Sequence, residues 1–168
     1  PAATQLRIVA LAGQGRIGEA ESLLSGTMAS PEELLVILTG LAPLMDQLDS
    51  RAQRDLGRVQ LAAARRIDSG RSTLPAEMAP VVDRCLAEAF TATGDLPEAI
   101  AIYETLLKSR SRDRTLLELI ANLRVRHGNP DDLQRAKTIY RQLEGLDSAG
   151  SSAWLRTRLN VARVCHLA

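Results

Sequence analysis

The sequence predicts an all-α chain: a solenoid of antiparallel helix hairpins, about four hairpins plus one extra helix. Three observations carry that expectation. The stretch Gly15-Arg16-Ile17-Gly18-Glu19-Ala20 returns as Gly94-Asp95-Leu96-Pro97-Glu98-Ala99, each time between two apolar-periodic runs, so the unit reads as helix, tight Gly turn, antiparallel helix. The chain is 45% hydrophobic but only 2% aromatic, with Leu and Ala dominant, a mix that loses little side-chain freedom in a helix. No run of alternating β-branched residues bounded by hairpin signals occurs, so strand is nearly absent. A recurring helical hairpin cannot bury its apolar face alone and stacks on neighbouring copies.

The elements follow in order. A first hairpin pairs residues 3–14 with 16–25, because Leu6, Val9, Ala10 and Ala20, Leu23, Leu24 recur at three- and four-residue spacing. Ser30-Pro31-Glu32-Glu33 is a helix start: a Ser cap, Pro at the first helical position, and acids in the first turn. That helix continues through Leu34, Ile37, Leu38 and Leu41, and Pro43 is expected to kink or end it. Ser50 is expected to cap the next helix, Arg51 to about Ile67. Residues 68–75, Asp-Ser-Gly-Arg-Ser-Thr-Leu-Pro, form the clearest loop and the candidate flexible joint. Helices then follow at about 79–93, 97–109, 114–127, 131–146 and 151–167.

At 168 residues the chain fits one domain. With 21 Lys and Arg against 20 Asp and Glu, the net charge is +1, which argues against a dedicated nucleic-acid or membrane-surface domain. The longest apolar stretch, Leu34 to Met45, is interrupted by Thr39, Gly40 and Pro43 and is too short to span a bilayer. Cys85 and Cys165 each lie in a helical apolar pattern with no metal-ligand spacing around them, so both are expected as reduced core thiols. That fits a reducing, cytoplasm-like compartment. The chain starts at Pro1 without Met and ends within an apolar helix, and it reads as a piece of a longer protein.

At Leu86-Ala87, Phe90, Gly94-Asp95-Leu96, Ala99, Tyr103 and Leu106 the spacing resembles the tetratricopeptide repeat (TPR). A Leu-small pair and an aromatic in the first helix are followed by a Gly-acidic turn, then small, aromatic and apolar residues in the second. Small Ala87 and Ala99 let paired helices approach, and Phe90 and Tyr103 fill the space around them. Ile8, Leu11, Gly15, Ile17, Ala20 and Leu24 reproduce the spacing with Leu for aromatics. Leu117, Ile120, Ala121, Gly128, Leu133, Ala136, Tyr140 and Leu143 reproduce it with a longer turn, and Arg124 stands where an aromatic or Leu is expected. Val161, Ala162 and Cys165 resemble the first helix of a further repeat. Residues 30–67 are degenerate, with Ala52, Leu56 and Val59 at the second-helix spacing.

The resemblance implies a right-handed α-α superhelix across residues 1–168, a single solenoid domain acting as a protein-interaction scaffold and not as an enzyme. It also implies that the first helix of each repeat lines a concave groove. Arg84, Asn122, Arg126, Arg156 and Arg163 fall on groove-facing turns, and members that grip acidic peptide tails use Lys, Arg and Asn there to clamp a carboxylate. Glu88 stands where such a clamp has Asn, so the full pattern is not present. The expected site is Arg84, Glu88, Asn122, Arg126 and Arg163, the partner a protein or peptide of acidic or polar character, with solvated surface as the alternative for the same residues. No cofactor or metal is called for. A structural spacer or self-assembly module is the second expectation, since the last helix leaves Leu155, Leu159, Ala162 and Val164 without cover.

Other features are weighed against this. Gly13-Gln14-Gly15-Arg16-Ile17-Gly18 matches a dinucleotide-loop pattern, the only support for a nucleotide-binding enzyme fragment. That loop needs a strand before it and a parallel sheet after it, and the repeat turn explains the same glycines. Arg51, Arg54, Arg58 and Arg65 share one helical face, joined by Arg66 and Arg71. Without interleaved aromatics to stack bases, this reads as a solvated face meeting Asp55 and Asp68 and not as a nucleic-acid stripe. His127 sits at a helix C-terminus, where the dipole favours it. His166 adjoins Cys165, but helical neighbours point apart and make no catalytic pair.

Overall fold

In the computed structural model of the chain, residues 2–26 and 30–167 are described. Among them are nine α-helices and no strand: α1 (Ala2–Gly13), α2 (Ile17–Gly26), α3 (Pro31–Met45), α4 (Ser50–Ser69), α5 (Ala79–Thr93), α6 (Leu96–Ser109), α7 (Arg114–His127), α8 (Pro130–Leu146) and α9 (Ser152–Leu167). The all-α expectation is met, with element bounds within a residue or two of those read from the sequence.

Local chemistry explains the bounds. The α1–α2 turn is closed by Gly15 at φ 74°, with Arg16 N–H donating to Leu11 C=O at 2.9 Å. The α5–α6 turn uses Gly94 at φ 91°, where the N–H groups of Gly94 and Asp95 both donate to Phe90 C=O. A side chain disfavours such left-handed backbone, so glycine ends the helix there. Ser30 caps α3 by accepting from Glu33 N–H at 3.2 Å. Pro43 lies inside α3, which runs on to Met45. Asp49, not Ser50, caps α4: its carboxylate accepts from the N–H groups of Arg51 and Ala52 at 2.8 and 2.9 Å, and a carboxylate at that position also meets the helix dipole. Residues 71–73 and 76–78 form 3₁₀ turns. Arg71 ties this connection together, bonding Asp68 at 2.7 Å and Asp83 at 2.5 Å.

The chain divides into two compact units, residues 1–102 and 103–168. In the first, α1 packs on α2, α3 and α4, α3 on α4 and α5, and α4 lies along α5. Ile8, Leu35, Leu38, Leu41, Leu56, Val82 and Cys85 are its largest fully buried side chains apart from Gln60. The α4–α5 approach is close because Gly57 has no side chain; a Cβ there would stand 2.7 Å from Ala92 Cβ. Buried Gln60 donates to Leu38 C=O at 3.4 Å. In the second unit α8 packs between α7 and α9, around Leu117, Ala121, Leu133, Ala136, Tyr140, Leu143 and Val164.

Two expectations about α9 and the thiols change here. Val164 is 1% exposed and belongs to the core, whereas Leu155, Leu159 and Ala162 face outward. Cys85 is a buried core thiol, but Cys165 is exposed. The reason is angular: about 100° per residue places Cys165 on the flank next to buried Val164, so an apolar neighbourhood in sequence does not mean burial for both.

Candidate functional site

The charge is segregated between the units. Residues 1–102 hold nine Arg against thirteen Asp and Glu, a net of −4, and residues 103–168 hold twelve Lys and Arg against seven, a net of +5. The overall +1 conceals this division. The basic excess of the second unit sits partly on α9, which carries Arg156, Arg158 and Arg163 and no carboxylate.

Three of the five expected site residues belong to this second unit. Asn122 and Arg126 are exposed on α7, one turn apart, and Arg163 is exposed on α9. Tyr140 of α8 reaches one of them: its hydroxyl donates to Asn122 Oδ1 at 2.6 Å. Burial pushes the Tyr140 phenol up to about 12, with the charge of nearby Glu118 adding to the rise and that of Arg163 opposing it. The phenol therefore stays neutral and keeps its proton for Asn122. With Oδ1 accepting from Tyr140, the amide N–H donors of exposed Asn122 make no hydrogen bond to the described residues. Arg126 and Arg163 have no carboxylate partner among the described residues, while Arg156 meets Glu118 only at 3.7 Å. The face of α7 and α9 is thus a set of donors with few acceptors of its own, suited to a carboxylate. Tyr140 was read from the sequence only as a repeat-signature aromatic; its spacing gave no sign of this hydrogen bond.

Arg84 and Glu88 lie in the first unit and pair with each other. Arg84 Nε donates to Glu88 Oε1 at 2.8 Å, one helical turn apart on α5. The Glu88 side chain is 13% exposed, and its Oε2 is buried with no hydrogen-bond partner. Burial raises this carboxyl above the usual carboxylate range, and Arg84 opposes the rise. These two residues form one charge-compensated pair, in contrast to the donor-rich face of the second unit.

A further cluster was missed from the sequence. Arg124, at the position where an apolar residue was expected, is buried at 4% exposure. Its Nη1 donates to Asp132 Oδ1 and its Nη2 to Glu104 Oε1. His127 Nδ1 meets the other Asp132 oxygen at 2.5 Å, and Asp132 N–H donates to Asn129 Oδ1, the α8 cap, at 2.8 Å. Burial works against the Asp132 charge, but the His127 hydrogen bond and the charge of Arg124 outweigh it and hold the carboxyl below its ordinary value. This network joins α6, α7, its turn and the start of α8 into one polar clasp around the buried Arg124, whose Nε alone is left without a partner among the described residues. Its donors and acceptors otherwise face one another, which marks it as structural.

The remaining candidates resolve into surface or turn. Arg58 and Arg51 reach Asp55 at 3.1 and 3.9 Å, and Arg65 lies over the Phe90 ring at 5.4 Å, as a solvated face would. The glycines at 13–18 close a turn between two helices, without the strand that a dinucleotide loop requires. A cleft of about 160 Å³ between α2 and α4, lined by Leu24, Val59, Ala62 and Ala63 with Glu21 and Arg66 at its edge, is below the size of ordinary small-molecule sites. Among the described residues no group of three or more His, Cys, Asp or Glu is placed to hold a metal ion, and no helix is long and apolar enough to cross a membrane. Comparison with known proteins finds no matching family model, no matching curated protein and no matching solved structure.

Proposed function

We propose that the chain is a protein-interaction scaffold, a TPR-like solenoid that holds an acidic peptide or helix on the α7/α9 face. The observation that carries this reading is the exposed trio Asn122, Arg126 and Arg163, with Asn122 oriented by Tyr140 and neither arginine paired to a carboxylate. Guanidinium groups bind carboxylates bidentately, and the neutral Asn122 amide adds a directional donor. The +5 balance of residues 103–168 would steer an acidic segment toward this face. Arg84 and Glu88 take a secondary part in this reading, because their charges already compensate each other.

The test is fluorescence anisotropy with a labelled oligoglutamate peptide bearing a free C-terminal carboxylate, against a glutamine peptide of equal length. The expected result is saturable binding of the acidic peptide, weakened at least tenfold by the double substitution Arg126→Ala and Arg163→Ala, with helicity and melting unchanged. Equal affinity of wild type and double variant would sink the groove assignment. A second reading, a spacer or self-assembly module, is favoured by one observation: Leu155 and Leu159 are 56% and 69% exposed on the outer face of α9.

A further inference from the structure

Two of the exposed large apolar side chains lie in the first unit, and their surroundings mirror those on α9. Leu6 of α1 and Val36 of α3 are 59% and 51% exposed. The two helices are joined beside them, since Gln5 Nε2 donates to the C=O groups of Val36 and Ile37 at 2.9 and 3.2 Å. Glu32 and Glu33 lie four and three residues before Val36, the spacing of one helix face. Both are exposed, and neither has a basic partner among the described residues. On α9, Leu155, Leu159 and Ala162 form an outward stripe by the same spacing, with Arg156 and Arg163 on one flank and Arg158 on the other.

The two patches match in kind, and the carboxylates Glu32 and Glu33 beside Val36 oppose the arginines of α9 in charge, while on α1 the one charge is Arg7 beside Leu6. We infer that they are the two halves of one heterologous contact, in which the α9 face of one copy docks on the α1/α3 face of a second copy. Self-pairing of two α9 faces is disfavoured, because it would set arginines against arginines with no carboxylate on either helix. A head-to-tail contact leaves one free patch at each end, so copies add in series unless a ring closes. The patches are small, which sets the expectation of a weak, reversible association. This inference rests on the outer stripe of α9 and shares only Arg163 with the acidic-peptide reading; Leu6→Glu and Leu159→Glu leave that arginine in place, so the two can fail separately.

The test is sedimentation velocity from about 10 µM to about 1 mM, the range that weak contacts occupy. The wild-type sedimentation coefficient is expected to rise with concentration, and less so in high salt, where the charged flanks are screened. Leu6→Glu removes the head patch and Leu159→Glu the tail patch. Both side chains are exposed, so each variant keeps its fold, checked by circular dichroism. Each variant alone is expected to stay monomeric, whereas an equimolar mixture forms a dimer and nothing larger, because one intact head then meets one intact tail. A wild type that is monomeric throughout overturns the inference. So does loss of association in Leu159→Glu with none in Leu6→Glu, which would mean tail-to-tail pairing, or failure of the mixed variants to cross-associate.

Discussion

Replacing Arg124 with Ala tests the buried clasp of the second unit most sharply. The substitution removes both guanidinium donors at once. Asp132, whose side chain is 11% exposed, then keeps its charge with only His127 beside it, whereas Glu104, at 43%, can turn to water. Most of the cost therefore falls on Asp132. Breaking a buried ion pair by deleting one partner costs about 3–5 kcal/mol, and for a chain of this size each kcal/mol moves the melting point by about 2–4 °C. A fall of roughly 6–20 °C in thermal melting, with a matching loss in urea unfolding, is expected. Neutralising the stranded partner should recover part of it, so Arg124→Leu with Asp132→Asn is expected to be more stable than Arg124→Leu alone. The sign with pH follows from the depressed Asp132 carboxyl: its contribution is present above the ordinary carboxylate value and is lost as pH falls through the lowered folded value. The acid-unfolding difference between wild type and Arg124→Ala should accordingly narrow at the acid end. A cost below about 1 kcal/mol, the range of an exposed pair, would refute the reasoning.

Three other outcomes are expected. Gly57→Ala puts a Cβ 2.7 Å from Ala92 Cβ; overpacking of about 1–3 kcal/mol exceeds the gain in helix propensity of about 1 kcal/mol, so the melting point falls, and a rise would show that α4 and α5 are less tightly apposed. Glu88→Gln is expected to stabilise the protein near pH 7. The Glu88 carboxyl is raised by burial, so the wild type carries a penalty once the group ionises, and the gap should close as pH drops below the ordinary carboxylate value of about 4.3; a gap that persists there would contradict the burial argument. Thiol titration with an aromatic disulfide at mildly alkaline pH should label Cys165 alone in the folded chain, since Cys85 is buried with its thiol pushed up to about 12. Two fast-reacting thiols without denaturant would place Cys85 at the surface.

What could be read from the sequence, and what could not, divides along physical lines. Helix ends were legible where one residue decides them: Gly94 and Gly15 need left-handed backbone, and Ser30 before Pro31 is a cap by composition alone. Asp49 displaced Ser50 as a cap because both are good caps, and only backbone geometry picks between neighbours. Pro43 marks the end of α3 to within two residues: a proline in the last turn removes a single hydrogen bond, and the helix closes with Met45. The Arg124 clasp was hidden because its partners, Glu104 and Asp132, come from two other helices. The only clue was a charged residue at an apolar repeat position, which reads as an imperfection until those helices are placed. For the candidate site the sequence supplied the face, since Asn122 and Arg126 share one by spacing. It could not supply the Tyr140 hydroxyl that orients Asn122, nor the fact that Arg84 is engaged by Glu88.

The central claim, an acidic segment held on the α7/α9 face, is tested most directly by nuclear magnetic resonance titration of the labelled chain with the oligoglutamate peptide. The predicted result is chemical-shift change concentrated at Asn122, Arg126, Tyr140 and Arg163, saturating with one peptide per chain. Change centred instead on the solvated arginines of α4, Arg54 and Arg58, or spread evenly over the basic side chains, would contradict it.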